Sequence, residues 1–239
     1  MHAFRIISRK RGFTLIELLS VIAVIGILAG IIIPVVGRVR ESARKADCIN
    51  NIRQITTGMS LYAGENGNKT PPPSISGDAS NQKNTWGYML WPYIYGSYDN
   101  YNDRASDGPQ NCLQMGTPVY EPCPDNVFRC PANRIGDYPA YGGRVLPSRH
   151  SYGFNFGVGS SPVGGSARMT PVNLFLVTDP AKTAMTLECS APFANRDVFR
   201  MFGLAPHGGE LNVAFYDGHI ESMTPEKIPS SSSDPFWSL

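Results

Sequence analysis

The sequence of 239 residues predicts an α+β fold in which one long amino-terminal helix packs against an antiparallel β-sheet with long loops. Three observations predict it. An apolar stretch runs from Phe13 to Val36, a helical repeat of apolar residues continues to Ala63, and residues 211–223 carry a hairpin pattern. The chain is long enough for this helix and one further domain with its own core.

The apolar stretch from Phe13 to Val36 contains a single charged residue, Glu17. A helix needs about 20 apolar residues to cross the hydrocarbon core of a bilayer, so we expect this segment to enter membrane lipid. A charged side chain at the centre of such a helix costs about 2.5–3.5 kcal/mol on insertion scales. Glu17 therefore needs a partner.

The junction before this stretch has a specific order of residues. A basic leader, residues 9–12, ends in Gly12 and is followed by Phe13-Thr14-Leu15-Ile16-Glu17. A secretory signal has an apolar core of about 7–15 residues and a small-x-small cleavage site, which differs from this pattern. The junction resembles instead the class III signal of type IV prepilins and pseudopilins.

The resemblance implies how the amino terminus is processed and used. A prepilin peptidase would cut between Gly12 and Phe13, remove residues 1–12 as a leader peptide and methylate the new amino terminus. The ammonium group of Phe13 in a neighbouring subunit would then neutralise Glu17 inside a bundle of helices. The Glu17 carboxylate would thus help neighbouring subunits to assemble.

The long helix is predicted to have two parts. Residues 13–37 form the transmembrane and assembly half, and residues 38–63 form an amphipathic half whose apolar residues recur at spacings of three and four. Pro34 removes a backbone donor inside the helix, and we expect a kink there. Gly64 and the prolines at 71–73 end the helix near Ala63.

The resemblance to type IV pilins implies a globular head after the helix. Residues 64–229 are interpreted as an extracytoplasmic, loop-rich β head and residues 230–239 as a flexible tail. Positive charges flank both sides of the apolar stretch, so a single-pass inner-membrane orientation with the head periplasmic or extracellular is implied by the resemblance alone.

Strand patterns are concentrated in the last third of the chain. Alternating aromatic residues predict a strand within Ser151–Val158, and Asn173–Thr178 with Lys182–Cys189 is interpreted as a pair of strands around Asp179-Pro180. Each segment is long enough for one strand of a half-buried sheet.

The hairpin pattern at 211–223 is the most distinct of these signals. Asp217-Gly218 is typical of a type I′ turn of two residues, which needs positive φ at both positions. Leu211, Val213 and Phe215 share one strand face, which we expect to meet the helix.

His207 is followed by nine residues and then by Asp217-Gly218. This spacing resembles the H-x9-DG segment at the carboxyl end of a large bacterial family of prepilin-like proteins. His207, Asp217, His219 and Glu188 offer metal ligands or an acid/base pair, but a structural role in turns and loop hydrogen bonds is favoured. No nucleophile elbow, P-loop or HExxH pattern occurs in the sequence, so we predict no enzyme, catalytic residue, cofactor or metal.

The cysteines Cys112, Cys123, Cys130 and Cys189 lie in the predicted head. In an oxidising compartment they would form two disulfides, with three possible connectivities. A zinc site is disfavoured because no pair has the C-x2-C spacing.

Two further loop features have a structural and a binding interpretation. Aromatic residues are dense at 86–101, which suits either a core or a surface that recognises a glycan or peptide. Asp99 and Asp103 bracket oxygen-rich residues that would suit calcium but lack the EF-hand pattern. The net charge is +2 and no basic patch occurs beyond the two flanks of the apolar stretch, so nucleic acid is not an expected partner.

The favoured function is a structural subunit of a type IV pilus-like or type II secretion pseudopilus-like filament. Its implied partners are a prepilin peptidase, an inner-membrane assembly platform, membrane lipid, and copies of itself or other pilins. The alternative is a membrane-anchored surface module that uses the same signal without polymerising and binds a glycan or peptide through residues 86–101.

Processing at the junction is directly measurable. Mass spectrometry of membrane material from cells with an active prepilin peptidase should find a mature chain that begins at methylated Phe13. An intact Met1 in those cells would contradict the interpretation of the junction.

Overall fold

The computed structural model describes most of the long helix and the last third of the chain, with shorter segments between them. The described residues are 15–72, 85–98, 127–133, 140–141, 144–145, 151–155, 157, 170–191 and 193–239. The chain divides into two units, Met1–Ser42 and Ala43–Leu239, which are considered separately.

The described residues form three α-helices and seven strands. The helices are α1 Leu15–Glu65, α2 Trp86–Tyr95 and α3 Arg196–Phe202. The strands are β1 Ala140–Tyr141, β2 Arg144–Val145, β3 Tyr152–Asn155, β4 Ala184–Glu188, β5 Phe193–Ala194, β6 Leu211–Phe215 and β7 Ile220–Met223.

The first unit contains the apolar part of α1. Its large apolar side chains are exposed, from 88% at Leu15 to 39% at Val36. Among the described residues, α1 is the one helix that is long and apolar enough to cross a membrane, by length and composition. Pro34 lies inside α1, and the helix continues past it. The kink at Pro34 stays a prediction.

The second unit contains the amphipathic part of α1. The buried residues Cys48, Ile52, Ile55 and Met59 are spaced by three or four and form one stripe along the helix. The helix ends at Glu65, two residues beyond the predicted end, because the turn at 66–68 uses positive φ at Gly67 and Asn68.

Five strands form the main sheet of the second unit, in the order β5-β3-β4-β6-β7. All neighbours in it are antiparallel except β3 and β5, which run parallel. The predicted α+β class, with a long amino-terminal helix and an antiparallel sheet, is confirmed.

The two faces of this sheet are covered by different parts of the chain. The stripe of α1 packs in one apolar cluster with Tyr152, Phe154 and Ala214. Leu211, Val213 and Phe215 lie in a second cluster, with residues of α3 and the carboxyl-terminal segment. The prediction that these three residues meet the helix is therefore wrong. They do share one face of β6, but the helix packs on the opposite face, where Ala214 lies.

The hairpin of β6 and β7 is confirmed, with Ala214 opposite Ile220. Its turn differs from the predicted type I′. The Gly218 N–H donates to the Phe215 carbonyl at 3.0 Å, and the Phe215 N–H donates to the His219 carbonyl at 3.0 Å. Gly218 has φ +93°, whereas Asp217 is not among the described residues with positive φ. This is the bonding pattern of a three-residue loop, in which glycine alone takes the left-handed conformation.

The predicted strand at Asn173–Thr178 is wrong. Residues Leu174–Leu176 form a 3₁₀ turn that begins where the Asn173 side chain accepts a hydrogen bond from the Phe175 N–H, at 3.1 Å. An Asn side chain that bonds the backbone two residues ahead competes with strand pairing. The second member of the predicted pair is strand β4, which lies between β3 and β6.

The carboxyl-terminal segment, residues 230–239, is packed rather than free, contrary to the predicted flexible tail. Trp237 has no exposed surface and Phe236 has 6%. The Phe236 carbonyl accepts from the Ala184 N–H at 3.0 Å, and the Trp237 indole N–H donates to the Pro229 carbonyl at 2.8 Å. The segment thus covers the sheet face opposite α1.

Replacing Trp237 by Ala should lower the free energy of unfolding by about 3–5 kcal/mol, because a large buried side chain leaves a cavity. Urea unfolding of the full chain in detergent would measure this loss. Ser231→Ala, in the same segment and exposed, is the matched control and should change stability by less than about 0.5 kcal/mol. Equal stability of both variants would contradict the packing of this segment.

Candidate functional site

The amino-terminal residues with a predicted role fall partly within the described chain. Gly12 and Phe13 lie outside it. Glu17 lies in the first turn of α1 with its side chain exposed, and the Ser20 hydroxyl donates to the Glu17 carbonyl at 2.9 Å. An acidic residue in the first turn suits the positive end of the helix dipole.

A polar cluster lies in the interior of the second unit, around His207. His207 Nε2 is 2.8 Å from Glu188 Oε1, and both side chains are almost completely buried. Glu188 is the last residue of β4, and His207 lies in the loop before β6. The same His207 nitrogen lies 3.6 Å from the Cys130 sulfur.

The Glu188 carboxylate has several hydrogen-bond donors. Its Oε2 accepts from the Asn212 backbone N–H at 2.8 Å, and the Asn212 amide approaches Oε1 at 3.5 Å. The Ser222 hydroxyl donates to Asn212 Oδ1 at 2.7 Å and orients that amide. Burial raises the pKa of Glu188, and the bonds to His207 and Asn212 oppose part of that rise.

A disulfide joins Cys48 of α1 to Cys130, across 82 positions of sequence. This corrects the prediction that Cys130 pairs with another cysteine of the set 112, 123 and 189. Cys189 is a buried free thiol whose pKa burial raises to about 12. Cys112 and Cys123 lie outside the described residues.

The position of Cys48 in the helical repeat could have indicated its role, but counting the cysteines of the head left it out. Cys48 precedes Ile52 by four positions and Ile55 by seven, on the apolar stripe of α1. A cysteine on the buried face of a helix is placed to bond with the domain that the helix covers.

Two more polar contacts fix α1 near the disulfide. Lys45 Nζ lies 2.6 Å from Glu210 Oε2, and His207 and Glu210 exchange backbone hydrogen bonds at 3.2 Å. The Asn51 amide donates to the Arg129 carbonyl at 2.9 Å. The loop that carries His207 and the segment that carries Cys130 are therefore both tied to one stretch of α1.

The four polar residues that the sequence grouped around the H-x9-DG spacing form two pairs. His207 pairs with Glu188 in the interior, whereas Asp217 Oδ1 accepts from the His219 N–H at 3.0 Å in the partly exposed hairpin turn. Burial raises the pKa of Asp217, but the hydrogen bonds from His219 outweigh it and hold that pKa below its usual value. The structure does not bring the four into one cluster.

The aromatic residues of α2 belong mainly to the core. Trp86 and Trp91 are buried, and both pack against the Phe128 ring. Tyr95 and Tyr98 keep 36% and 43% of their surface. Most of this aromatic surface is thus used in packing, and residues 99–103, proposed for calcium, lie outside the described chain.

Comparisons with known proteins find two family matches. Residues 37–198, about two thirds of the chain, match a family described as a protein of unknown function, DUF1559. Residues 7–33 match the prokaryotic N-terminal methylation motif. The second match covers the junction and the apolar half of α1.

Curated relatives match over shorter stretches. The type IV major pilin protein PilA of Myxococcus xanthus DK1622 is 33% identical over 90 residues, 38% of this chain and 41% of that protein. The type II secretion system core protein G of Escherichia coli K12 is 32% identical over 62 residues, 26% of this chain and 43% of that protein. The chain thus spans about two fifths of the length of these relatives. No solved structure matches the chain.

Loss of the Cys48–Cys130 bond should cost about 4 kcal/mol of unfolding free energy in the chain-entropy model, because the bond closes a loop of 82 positions. Urea unfolding of the Cys48→Ser/Cys130→Ser variant of the full chain would measure it. In a Cys112→Ser/Cys123→Ser background, reduction should cause a similar loss in the chain that keeps Cys48 and Cys130 and should leave the chain that lacks both unchanged. A reductant effect of equal size in both chains would contradict this assignment.

Proposed function

Because the chain belongs to the DUF1559 family and carries the prokaryotic N-terminal methylation motif, we propose that it is a structural subunit of a type IV pilus-like or type II secretion pseudopilus-like filament. Its curated relatives are named as a major pilin and as secretion-system core proteins, which supports a structural rather than a catalytic role. A prepilin peptidase cuts between Gly12 and Phe13 in this proposal, and an inner-membrane platform assembles the mature chain.

The exposed apolar half of α1 is the observation that carries the proposal. The large apolar side chains from Leu15 to Val36 keep 39–88% of their surface in the isolated chain. Full burial of a Leu, Ile or Val side chain is worth about 1.5–3 kcal/mol. A surface of this kind requires lipid before assembly and helices of other subunits after it.

Glu17 has a specific task in this filament. Its carboxylate lies within an apolar surface and in the first turn of α1. When apolar helices pack around it, its charge must be neutralised, and the amino-terminal ammonium group of a neighbouring Phe13 provides the opposite charge. This pairing selects one axial register between neighbours, because only that register brings the two opposite charges together.

The contacts of the second unit suit a subunit that transmits force through its helix. A disulfide, the Lys45–Glu210 ion pair and the Asn51 bond all join α1 to the sheet-bearing part of the chain within a few residues of sequence. Load on the helix is therefore carried by a covalent bond as well as by packing. The sheet-bearing part faces the periplasm or the cell exterior in this proposal, with the helix in the inner membrane.

Replacement of Glu17 tests assembly separately from folding. Glu17→Ala should reduce incorporation into sheared or pelleted filaments by at least about tenfold, because the neighbour's ammonium group would be buried without a partner. Processing at Phe13 and the Cys48–Cys130 disulfide should remain, and mass spectrometry of the membrane fraction checks both. Glu41→Ala changes an exposed acidic residue of the same helix beyond the apolar segment and is the matched control.

The result separates filament assembly from the alternative of a membrane-anchored display module. Normal incorporation of Glu17→Ala, or an equal loss with Glu41→Ala, would contradict the pairing of Glu17. Normal processing without any parent chain in filaments would favour the display module.

A further inference from the structure

The disulfide and the buried His207–Glu188 pair together contain a set of four potential metal ligands. One ligand atom from each of Cys48, Cys130, Glu188 and His207 lies within 4.8 Å of the other three, and all four residues are buried. They come from α1, the 127–133 segment, β4 and the loop before β6. The second unit therefore brings four sequence-distant donors to one point.

The identity of the donors indicates which metal they would bind. Two thiolates, an imidazole nitrogen and a carboxylate oxygen form a ligand set that suits zinc, at about 2.3 Å to sulfur and 2.0–2.2 Å to nitrogen or oxygen. In a tetrahedral site such bonds place the ligand atoms roughly 3.3–3.8 Å from one another. The 3.6 Å between His207 Nε2 and the Cys130 sulfur lies in that range.

The orientation of His207 supports the same conclusion. A single ring nitrogen, Nε2, faces both the Glu188 carboxylate and the Cys130 sulfur. In the oxidised chain Nε2–H donates to Glu188. When Nε2 binds a metal the ring proton moves to Nδ1, a buried atom without a hydrogen-bond partner among the described residues, so a buried water molecule is needed there to accept from it.

The carboxylate ligand is also held in place from outside the cluster. The Asn212 backbone N–H bonds to Glu188 Oε2 and leaves Oε1 directed at His207. The Ser222 hydroxyl fixes the Asn212 side chain in turn. Hydrogen bonds of this kind orient the ligands of established metal sites and tune their affinity.

We propose that the reduced chain binds one Zn²⁺ through Cys48, Cys130, His207 and Glu188, and that zinc and the Cys48–Cys130 disulfide are alternative occupants of the same site. Cysteines are thiols when the chain is synthesised, so the zinc form needs no reductant at that stage. Zinc binding releases the two thiol protons, while the proton of the neutral His207 ring stays on the ring at Nδ1. The later disulfide forms when a disulfide-containing oxidant accepts two electrons and becomes a dithiol, while the chain loses zinc.

This arrangement gives the unoxidised chain a substitute for its covalent bond. Before oxidation no covalent bond joins Cys48 of α1 to Cys130, and the buried Glu188 carboxylate depends on its hydrogen bonds with His207 and the Asn212 N–H. A bound zinc would join the same two positions and coordinate the carboxylate, while its two positive charges are balanced by the two thiolates. The inference concerns the second unit alone, so it does not depend on filament assembly.

Zinc binding to the full chain in detergent tests the proposal. The parent for this test is Cys112→Ser/Cys123→Ser/Cys189→Ser, which keeps only the two cysteines of the cluster. After reduction with a phosphine without oxygen, dialysis against zinc and elemental analysis should find one zinc per chain. The oxidised parent should retain none.

Single replacements identify the ligands. His207→Gln and Glu188→Gln should each weaken zinc binding by more than about 100-fold, beyond the 10–100-fold that loss of an orienting neighbour costs. His219→Gln, which removes the exposed imidazole of the hairpin turn, should leave the affinity unchanged. Cobalt in place of zinc should show a thiolate-to-cobalt charge-transfer band in the reduced parent and lose it in Cys48→Ser.

Circular dichroism distinguishes loss of a ligand from loss of the fold. If His207→Gln lowers the helix content, its zinc affinity is set aside and Glu188→Gln is used instead. The Glu188→Gln side chain keeps the size and hydrogen-bonding shape of the original, so its loss of zinc reports the loss of a ligand. Equal zinc uptake by the reduced parent and the two Gln variants would overturn the proposal. So would zinc uptake by the oxidised parent, because the two occupants would then not exclude each other.

Discussion

The packing of the amphipathic half of α1 on the sheet is the interaction on which the rest of the second unit depends. The stripe from Cys48 to Met59 contacts β3 and β6 through Tyr152, Phe154 and Ala214. A small side chain at position 214 leaves room for the helix. Trp86 and Leu90 of α2 and Phe128 of the 127–133 segment belong to the same apolar cluster.

At its end nearest the apolar half, the buried side of the helix is held by polar contacts and a disulfide rather than by apolar packing. Lys45, Cys48 and Asn51 follow one another at spacings of three and contact Glu210, Cys130 and the Arg129 carbonyl. Within this region a carboxylate and an imidazole are buried together, which is costly unless each has a partner. Their mutual bond, the Asn212 N–H and the neighbouring sulfur provide those partners in the oxidised chain.

The two halves of α1 thus differ in where their apolar side chains are buried. Up to Val36 the side chains are apolar and exposed, so their burial has to come from outside the chain. From Cys48 onward the helix supplies a core for its own chain.

Local patterns in the sequence determined the length and type of α1, its amphipathic half, strand β4 and the β6–β7 hairpin, because each follows from side-chain periodicity or from glycine at a turn. The prepilin-like junction could also be identified from a few adjacent residues. Tertiary structure alone decided which sheet face meets α1 and that Trp237 completes the core on the other face. It also decided that Cys130 bonds to Cys48 and that His207 pairs with Glu188 instead of Asp217. The partners are distant in sequence, 19 positions for Glu188 and His207 and 82 for Cys48 and Cys130, and periodicity states which face a residue occupies but not which distant segment will cover that face.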